Sequence, residues 1–211
     1  MRRLHASAGR GRWSRRLVAG ATALLCWALS PAGAQASQYT VTIEGERFLL
    51  NGAPFQVVGL RTSNSLVSDA KAGELVENLD VFAAYGVNTV SVFFMGSRFG
   101  DVQGYAPDGS LDPAYAARMD TIIRAADARG MVVLVGCLYW GTSAAKAELG
   151  GWGQTDAEHA VAETVRWLSD RDLRNVLVDP DNEGMAVVQN GWNVAGMIDA
   201  AHAIDPSILV G

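Results

Sequence analysis

Residues 112–135 read DPAYAARMDTIIRAADARGMVVLV, and this stretch decides the fold class. Asp112 is an N-cap residue, and Pro113 suits the first helical position, where an amide hydrogen has no intrahelical partner. Tyr115, Met119, Ile122 and Ala126 recur on one face at the helical period. Gly130 then ends the helix, and Met131–Val135 is an apolar run of strand length. A continuously apolar strand entered from a helix belongs to a parallel sheet covered on both faces.

The same unit repeats on either side. Upstream, Leu75, Leu79 and Phe82 mark a helix stopped at Gly86, and Val87–Phe94 is a strand. Downstream, Thr155-Asp-Ala-Glu158 has the form of a capping box. A helix with Val161, Val165 and Leu168 inward follows it, then the strand Val176–Val178. A helix over 192–203 leads to a further strand at Ile208–Val210. At the front, Tyr39–Ile43 and Arg47–Leu50 form a short β-hairpin, and Asn51-Gly-Ala-Pro54 turns into Phe55–Leu60, the first buried strand.

Repeated strand–helix units fit either an open doubly wound sheet or a closed barrel. A doubly wound nucleotide-binding sheet wants a glycine-rich turn after its first strand. Here that turn is Arg61-Thr-Ser-Asn-Ser65, without G-x-G-x-x-G. The expected fold is therefore α/β, a (β/α)8 TIM barrel with a short N-terminal hairpin. A full barrel takes about 250 residues, so residues 37–211 read as its N-terminal part, truncated after about five strands.

In a parallel barrel, chemistry gathers where strands pass into the following loops. The run after the fourth strand is Asp179-Pro-Asp-Asn-Glu-Gly184. Asn182 and Glu183 place an amide beside a carboxyl group at the barrel mouth. Glycosidic cleavage needs a carboxylic acid to protonate the leaving oxygen, with a second carboxylate nearby.

These features resemble the clan A glycoside hydrolases, and the cellulase-like glycoside hydrolase family 5 in particular. Phe48-Leu-Leu-Asn-Gly-Ala-Pro-Phe55 with Val58-Gly-Leu-Arg61 is similar to the start of such domains, Gly86-Val-Asn-Thr-Val90 to their second strand, and Asn182-Glu183 to their acid/base motif. The resemblance implies that Glu183 is the general acid/base, that Asn182 binds the sugar 2-hydroxyl, and that the reaction is retaining hydrolysis of a β-glycoside. It also implies a nucleophile on the seventh strand, beyond Gly211. The chain departs from the pattern at Ser91, where the family often has arginine, and at Cys137, where it often has histidine.

Further substrate contacts are expected from Tyr139 and Trp140, whose flat faces can stack on sugar rings, with core or loop packing the alternative for Trp140, and from Arg61 and Asn64 at the end of the first strand. Arg61 can equally pair with Asp181 or Glu183. Trp152, in the glycine-rich loop 150–153, reads as loop packing, and Phe93, Phe94 and Phe99 as core or loop anchors. Asp179-x-Asp181-x-Glu183-Gly184 grazes a calcium-loop pattern, but its twelfth position is Asn190 and a strand precedes it. Asp179 and Asp181 can instead face the positive end of the next helix.

The N-terminus reads as an export signal. Six arginines and no acid lie in residues 2–16, followed by the apolar run Leu17–Leu29 and the small-residue run Pro31–Ala36. Cleavage is expected after Ala36, giving a signal peptide over 1–36 and a secreted or periplasmic protein. Ser14-Arg15-Arg16-Leu17-Val18 resembles a twin-arginine signal. Of the chain's 17 Lys+Arg, those six leave with the signal; 11 remain against 22 Asp+Glu, a net charge of −11 with histidines neutral. That balance repels phosphate backbones and anionic lipid, which argues against nucleic-acid or membrane partners and suits a neutral carbohydrate.

Cys26 leaves with the signal, so Cys137 has no partner for an intrachain disulfide. His159 and His202 fall on helices, no metal-ligand spacing is present, and no cofactor motif is found. A secreted glycosidase is the leading expectation. A non-catalytic carbohydrate-binding barrel and a barrel hydrolase of other chemistry are the alternatives.

Overall fold

The computed structural model describes residues 35–62, 64–96, 102–141, 145–147, 149 and 151–211. The expected signal peptide up to residue 34, Phe99 and Gly150 lie outside the described residues.

Three short strands come first: β1 (Val41–Glu44), β2 (Arg47–Leu50) and β3 (Ala53–Pro54). They form an antiparallel sheet in the order β1-β2-β3, with Val41 opposite Leu50 and Glu44 opposite Arg47. The segment leading into it is tied down. Asp127, at the end of a later helix, accepts hydrogen bonds from the amides of Gln38 (2.7 Å) and Tyr39 (3.0 Å). The Ser37 hydroxyl donates to Asn175, whose own amide group donates to the carbonyls of Ile123 and Met131.

Next come β4 (Gly59–Arg61), α1 (Asp69–Ala84), β5 (Thr89–Phe93), α2 (Pro113–Asp127), β6 (Val132–Leu138), α3 (Gln154–Asp170) and β7 (Val176–Asp181). Two helices follow, α4 (Met185–Asn190) and α5 (Val194–His202). β4 to β7 make one parallel sheet in sequence order. A fifth strand position begins beside β7, where the Val178 amide donates to Leu209 O (2.9 Å) and the Gly211 amide to Val178 O (3.0 Å). The described chain is thus a partial barrel built of β–α units.

Local chemistry places these elements. Ser68 caps α1 by accepting from the Lys71 amide, and Gly86 leaves the helix at φ +82°. Asp112 caps α2 through the amides of Ala114 and Tyr115, with Pro113 at the first position. For α3 the expected capping box is displaced. Gly153 is the N-cap and the Asp156 carboxylate accepts its amide (2.8 Å), while Thr155 lies inside the helix. The expected helix over 192–203 is α5, and α4 is a further short helix ahead of it. Gly191 at φ +71° ends α4, and Asn193 starts α5 by accepting from the Ala195 amide.

Alternation along the strands sorts the side chains. Val90, Val92, Val133, Val135, Val176 and Val178 pack with the helices in the main core, alongside Leu79, Met119, Ile122, Val161 and Leu168. The opposite face is read across the sheet in register. Ser91, Leu134 and Leu177 form one row, and Phe93, Gly136 and Asp179 the next. The first parallel strand departs from expectation. It spans Gly59–Arg61 rather than Phe55–Leu60, and Leu60 is 39% exposed instead of buried. Among the described residues β4 has a ladder on one edge only, against β5, so its apolar side chains lack cover on the other side. No described helix is long and apolar enough to cross a membrane.

Candidate active site

The carboxyl ends of β4 to β7 bring four sequence-selected residues together: Arg61, Tyr139, Asn182 and Glu183. Arg61 stands one row below Phe93, level with Ser91, and reaches upward. Its Nη2 donates to Asn182 Oδ1 at 3.0 Å, and its Nη1 lies 3.6 Å from Glu183 Oε1. The guanidinium is flanked by two rings, 5.3 Å from the Phe93 centroid and 4.8 Å from that of Tyr139. Those rings meet edge to face at 5.6 Å. Gly136 makes this possible, because a β-carbon there would collide with the Phe93 ring.

Glu183 is 61% exposed at its side chain, open to a ligand from solvent. Its backbone is left-handed, φ 57° and ψ 19°, and Gly184 continues at φ 64°. A non-glycine residue in that region costs on the order of 1–3 kcal/mol and must be held there by its surroundings. Asp181 supplies much of the hold. Its Oδ1 accepts from the Ala186 amide (2.9 Å) and its Oδ2 from the Val187 amide (3.1 Å), closing the turn onto the start of α4. With both oxygens spent on the backbone, Asp181 is a cap, one of the two roles open to it in the sequence. Among the described residues no cluster of histidine, cysteine or acid side chains is arranged to hold a metal ion.

Asp179 is the residue the sequence reading undervalued. It lies in the row of Phe93 and Gly136, on the face with Arg61 rather than at a helix end. Burial raises its pKa from the ordinary 3.8 to about 6; the charges of Asp181 and Glu183 add to the rise, while the Asp181 amide and Arg61 oppose it. Burial also raises Asp181, against the two amides it accepts. The signal was available in the period of two from Leu177, which puts residue 179 on the inner face.

Asn182 is buried, and its Nδ2 has no acceptor among the described residues. Asn64 lines a groove along α1 with Thr62, Lys71, Glu74 and Asn78. Of the two readings open for Trp140, the structure favours packing over an open platform. It is only 7% exposed, with Trp192 at 4.6 Å and Trp152 stacked at 6.1 Å. Loop aromatics next to one another bury more apolar area by clustering than by facing water. Trp152 itself donates its indole N–H to Pro107 O (2.8 Å). Cys137 is on the helix side of β6, fully buried near Tyr105, and burial pushes its thiol up to about 12. Leu138, not Cys137, stands level with Asp181. His159 and His202 are exposed.

No protein-family model matches the chain, and no curated protein matches it. Solved structures do. The chain is similar to a β-glucanase from Saccharophagus degradans in complex with cellotetraose, with 17% identity and a TM-score of 0.57 over 88% of this chain and 58% of that one. A glycoside hydrolase family 5 protein from Bacteroides vulgatus gives 17% identity and 0.58 over 82% and 38%. A β-mannanase from the blue mussel Mytilus edulis gives 13% and 0.57 over 83% and 63%. The chain has the fold of part of the barrel that these proteins share. At these identities the likeness is one of fold, and the chain spans roughly two fifths to two thirds of each neighbour. The resemblance read in the sequence is thereby met at the level of fold, over most of this chain and part of theirs.

Proposed function

We propose that the chain is part of an exported glycoside hydrolase of the family 5 kind, acting on β-linked glucan- or mannan-like polysaccharides or oligosaccharides, with Glu183 as general acid/base. The observation that carries this reading is the joint hold of one guanidinium on Asn182 and Glu183 at the carboxyl ends of parallel strands. A strained, exposed carboxyl group is expensive in structural terms and useful in catalytic ones. The β-glucanase and β-mannanase neighbours supply the substrate class. The arginine-rich, then apolar, then small-residue N-terminus supports export.

In such a reaction the Glu183 carboxyl gives its proton to the glycosidic oxygen as the bond from that oxygen to the anomeric carbon breaks. A second carboxylate takes the anomeric carbon and later yields it to water, whose proton Glu183 accepts. The second carboxylate is not assigned to a residue of this chain. Asn182 presents its amide to the hydroxyl beside the anomeric carbon.

Replacing the acid separates this role from a purely binding one. In the full-length protein Glu183→Ala should lower kcat/KM most on glycosides with poor leaving groups, by about 10²–10⁴-fold. It should cost far less on activated aryl glycosides, whose leaving group needs no proton. Equal losses on both would remove Glu183 from the role. Oligosaccharide binding without turnover by the unaltered protein would favour the non-catalytic barrel.

A further inference from the structure

We infer that Arg61 is the positioning residue of this site, fixing which end of the Asn182 amide faces the substrate. This rests on the reading of Asn182 and Glu183 as the hydrolytic pair.

An asparagine amide has two orientations of nearly equal shape and opposite hydrogen-bonding sense. A guanidinium has donors and no acceptor, so it pairs only with the amide oxygen. Arg61 Nη2 lies 3.0 Å from Asn182 Oδ1, which turns Nδ2 away from the arginine. Nδ2 is buried and has no acceptor among the described residues. A buried donor in that state is destabilised until an acceptor arrives. The site is therefore built to receive an oxygen that accepts from Asn182, and Arg61 sets that sense.

Arg61 is itself held for the task. The Phe93 and Tyr139 rings lie on it at 5.3 and 4.8 Å, restricting rotation of the guanidinium plane. A flat, delocalised cation suits that slot and a point-charge ammonium does not. The same plane brings Nη1 to 3.6 Å from Glu183 Oε1, so one group indexes both neighbouring side chains from a distant strand. An inverted amide would set N–H groups against N–H groups, which the geometry excludes.

The test uses the full-length protein and two aryl β-glycosides, one with the hydroxyl beside the anomeric carbon and one lacking it. Each kcat/KM is taken relative to the uncatalysed rate. The unaltered protein should favour the hydroxylated substrate by roughly 10- to 100-fold, the effect of leaving a buried donor unpaired. Arg61→Met should collapse that preference to a few-fold, and Arg61→Lys should fail to restore it. Equal loss on both substrates in Arg61→Met, or full preference in Arg61→Lys, would overturn the inference. If the unaltered protein turned over neither substrate, the hydrolytic reading would fail by itself. The link would then be read from the side-chain amide signals of Asn182 in ¹⁵N-labelled protein. Those signals should move in Arg61→Met and not in a control, Lys71→Met; signals unmoved in Arg61→Met would sink the inference.

Discussion

Asp179→Asn should stabilise the protein at neutral pH while leaving its stability in acid unchanged. Burial among neighbouring acids raises the proton affinity of Asp179 from 3.8 to about 6, roughly two powers of ten. At about 1.4 kcal/mol per power of ten, holding the ionised side chain in the fold costs up to about 3 kcal/mol. The folded protein binds this proton more tightly than the unfolded chain does. Its stability contribution is therefore fully present below about pH 4 and is lost as pH rises through about 6. An asparagine cannot ionise, and its oxygen can still accept the Asp181 amide, which lies 3.2 Å from Asp179 Oδ1. The attraction of Arg61 is already contained in the rise to about 6, and the expected gain is about 1–3 kcal/mol. Urea unfolding of both proteins at pH 4 and pH 8 measures it. The variant should gain that amount at pH 8 and match the parent within about half a kcal/mol at pH 4. A variant less stable at pH 8, or a difference that ignores pH, would refute the placement of a strained carboxylate at this position.

Two further outcomes test other parts of the structure. Asp127→Ala leaves the amides of Gln38 and Tyr39 without the carboxylate that accepts both; thermal unfolding should show a loss of about 2–3 kcal/mol, with faster proteolysis ahead of β1. Trp140→Ala empties the space between Trp152 and Trp192 and should cost about 3–5 kcal/mol by the same assay. Unchanged stability with weakened oligosaccharide binding would instead return Trp140 to the role of a sugar platform.

The order of strands and helices was legible because each β–α unit carries its own punctuation. Asp112 and Gly86 act on the few amides and carbonyls beside them, and no tertiary information is needed to read them. Where the reading slipped, the deciding partner was distant or the choice was close. Gly153 displaces Thr155 as the cap of α3 because Asp156, three residues on, reaches back to its amide, a geometry that several spacings allow. Leu60 looks like a core residue in a window of apolar neighbours, but burial depends on what pairs with the other edge of its strand. Trp140 sits two residues past a strand end, where platform and packing residues look alike. Only the positions of Trp152 and Trp192, 12 and 52 residues away, distinguish them.

The site itself was half legible, and the unread half explains why the read half works. Asn182-Glu183 stands out as a dipeptide, yet its use depends on features that belong to no motif. Among the described residues, left-handed backbone outside glycine occurs at Asn51, Asp172 and Glu183. Asn51 lies in the turn between β2 and β3, and Asp172 in the turn leaving α3, where such geometry serves chain reversal. At Glu183 it coincides with a raised carboxyl at Asp179, a second at Asp181 and an unpaired buried donor at Asn182. Each of these departures costs stability, and they fall within five consecutive residues. Elsewhere among the described residues the Trp167 indole N–H is also buried without a partner, but no strained backbone or raised carboxyl accompanies it. The departures at 179–183 share one consequence. The strained turn, clamped by Asp181, and the guanidinium of Arg61 hold a carboxyl and an amide donor side by side, the carboxyl open to solvent, where an oxygen-rich ligand can satisfy both.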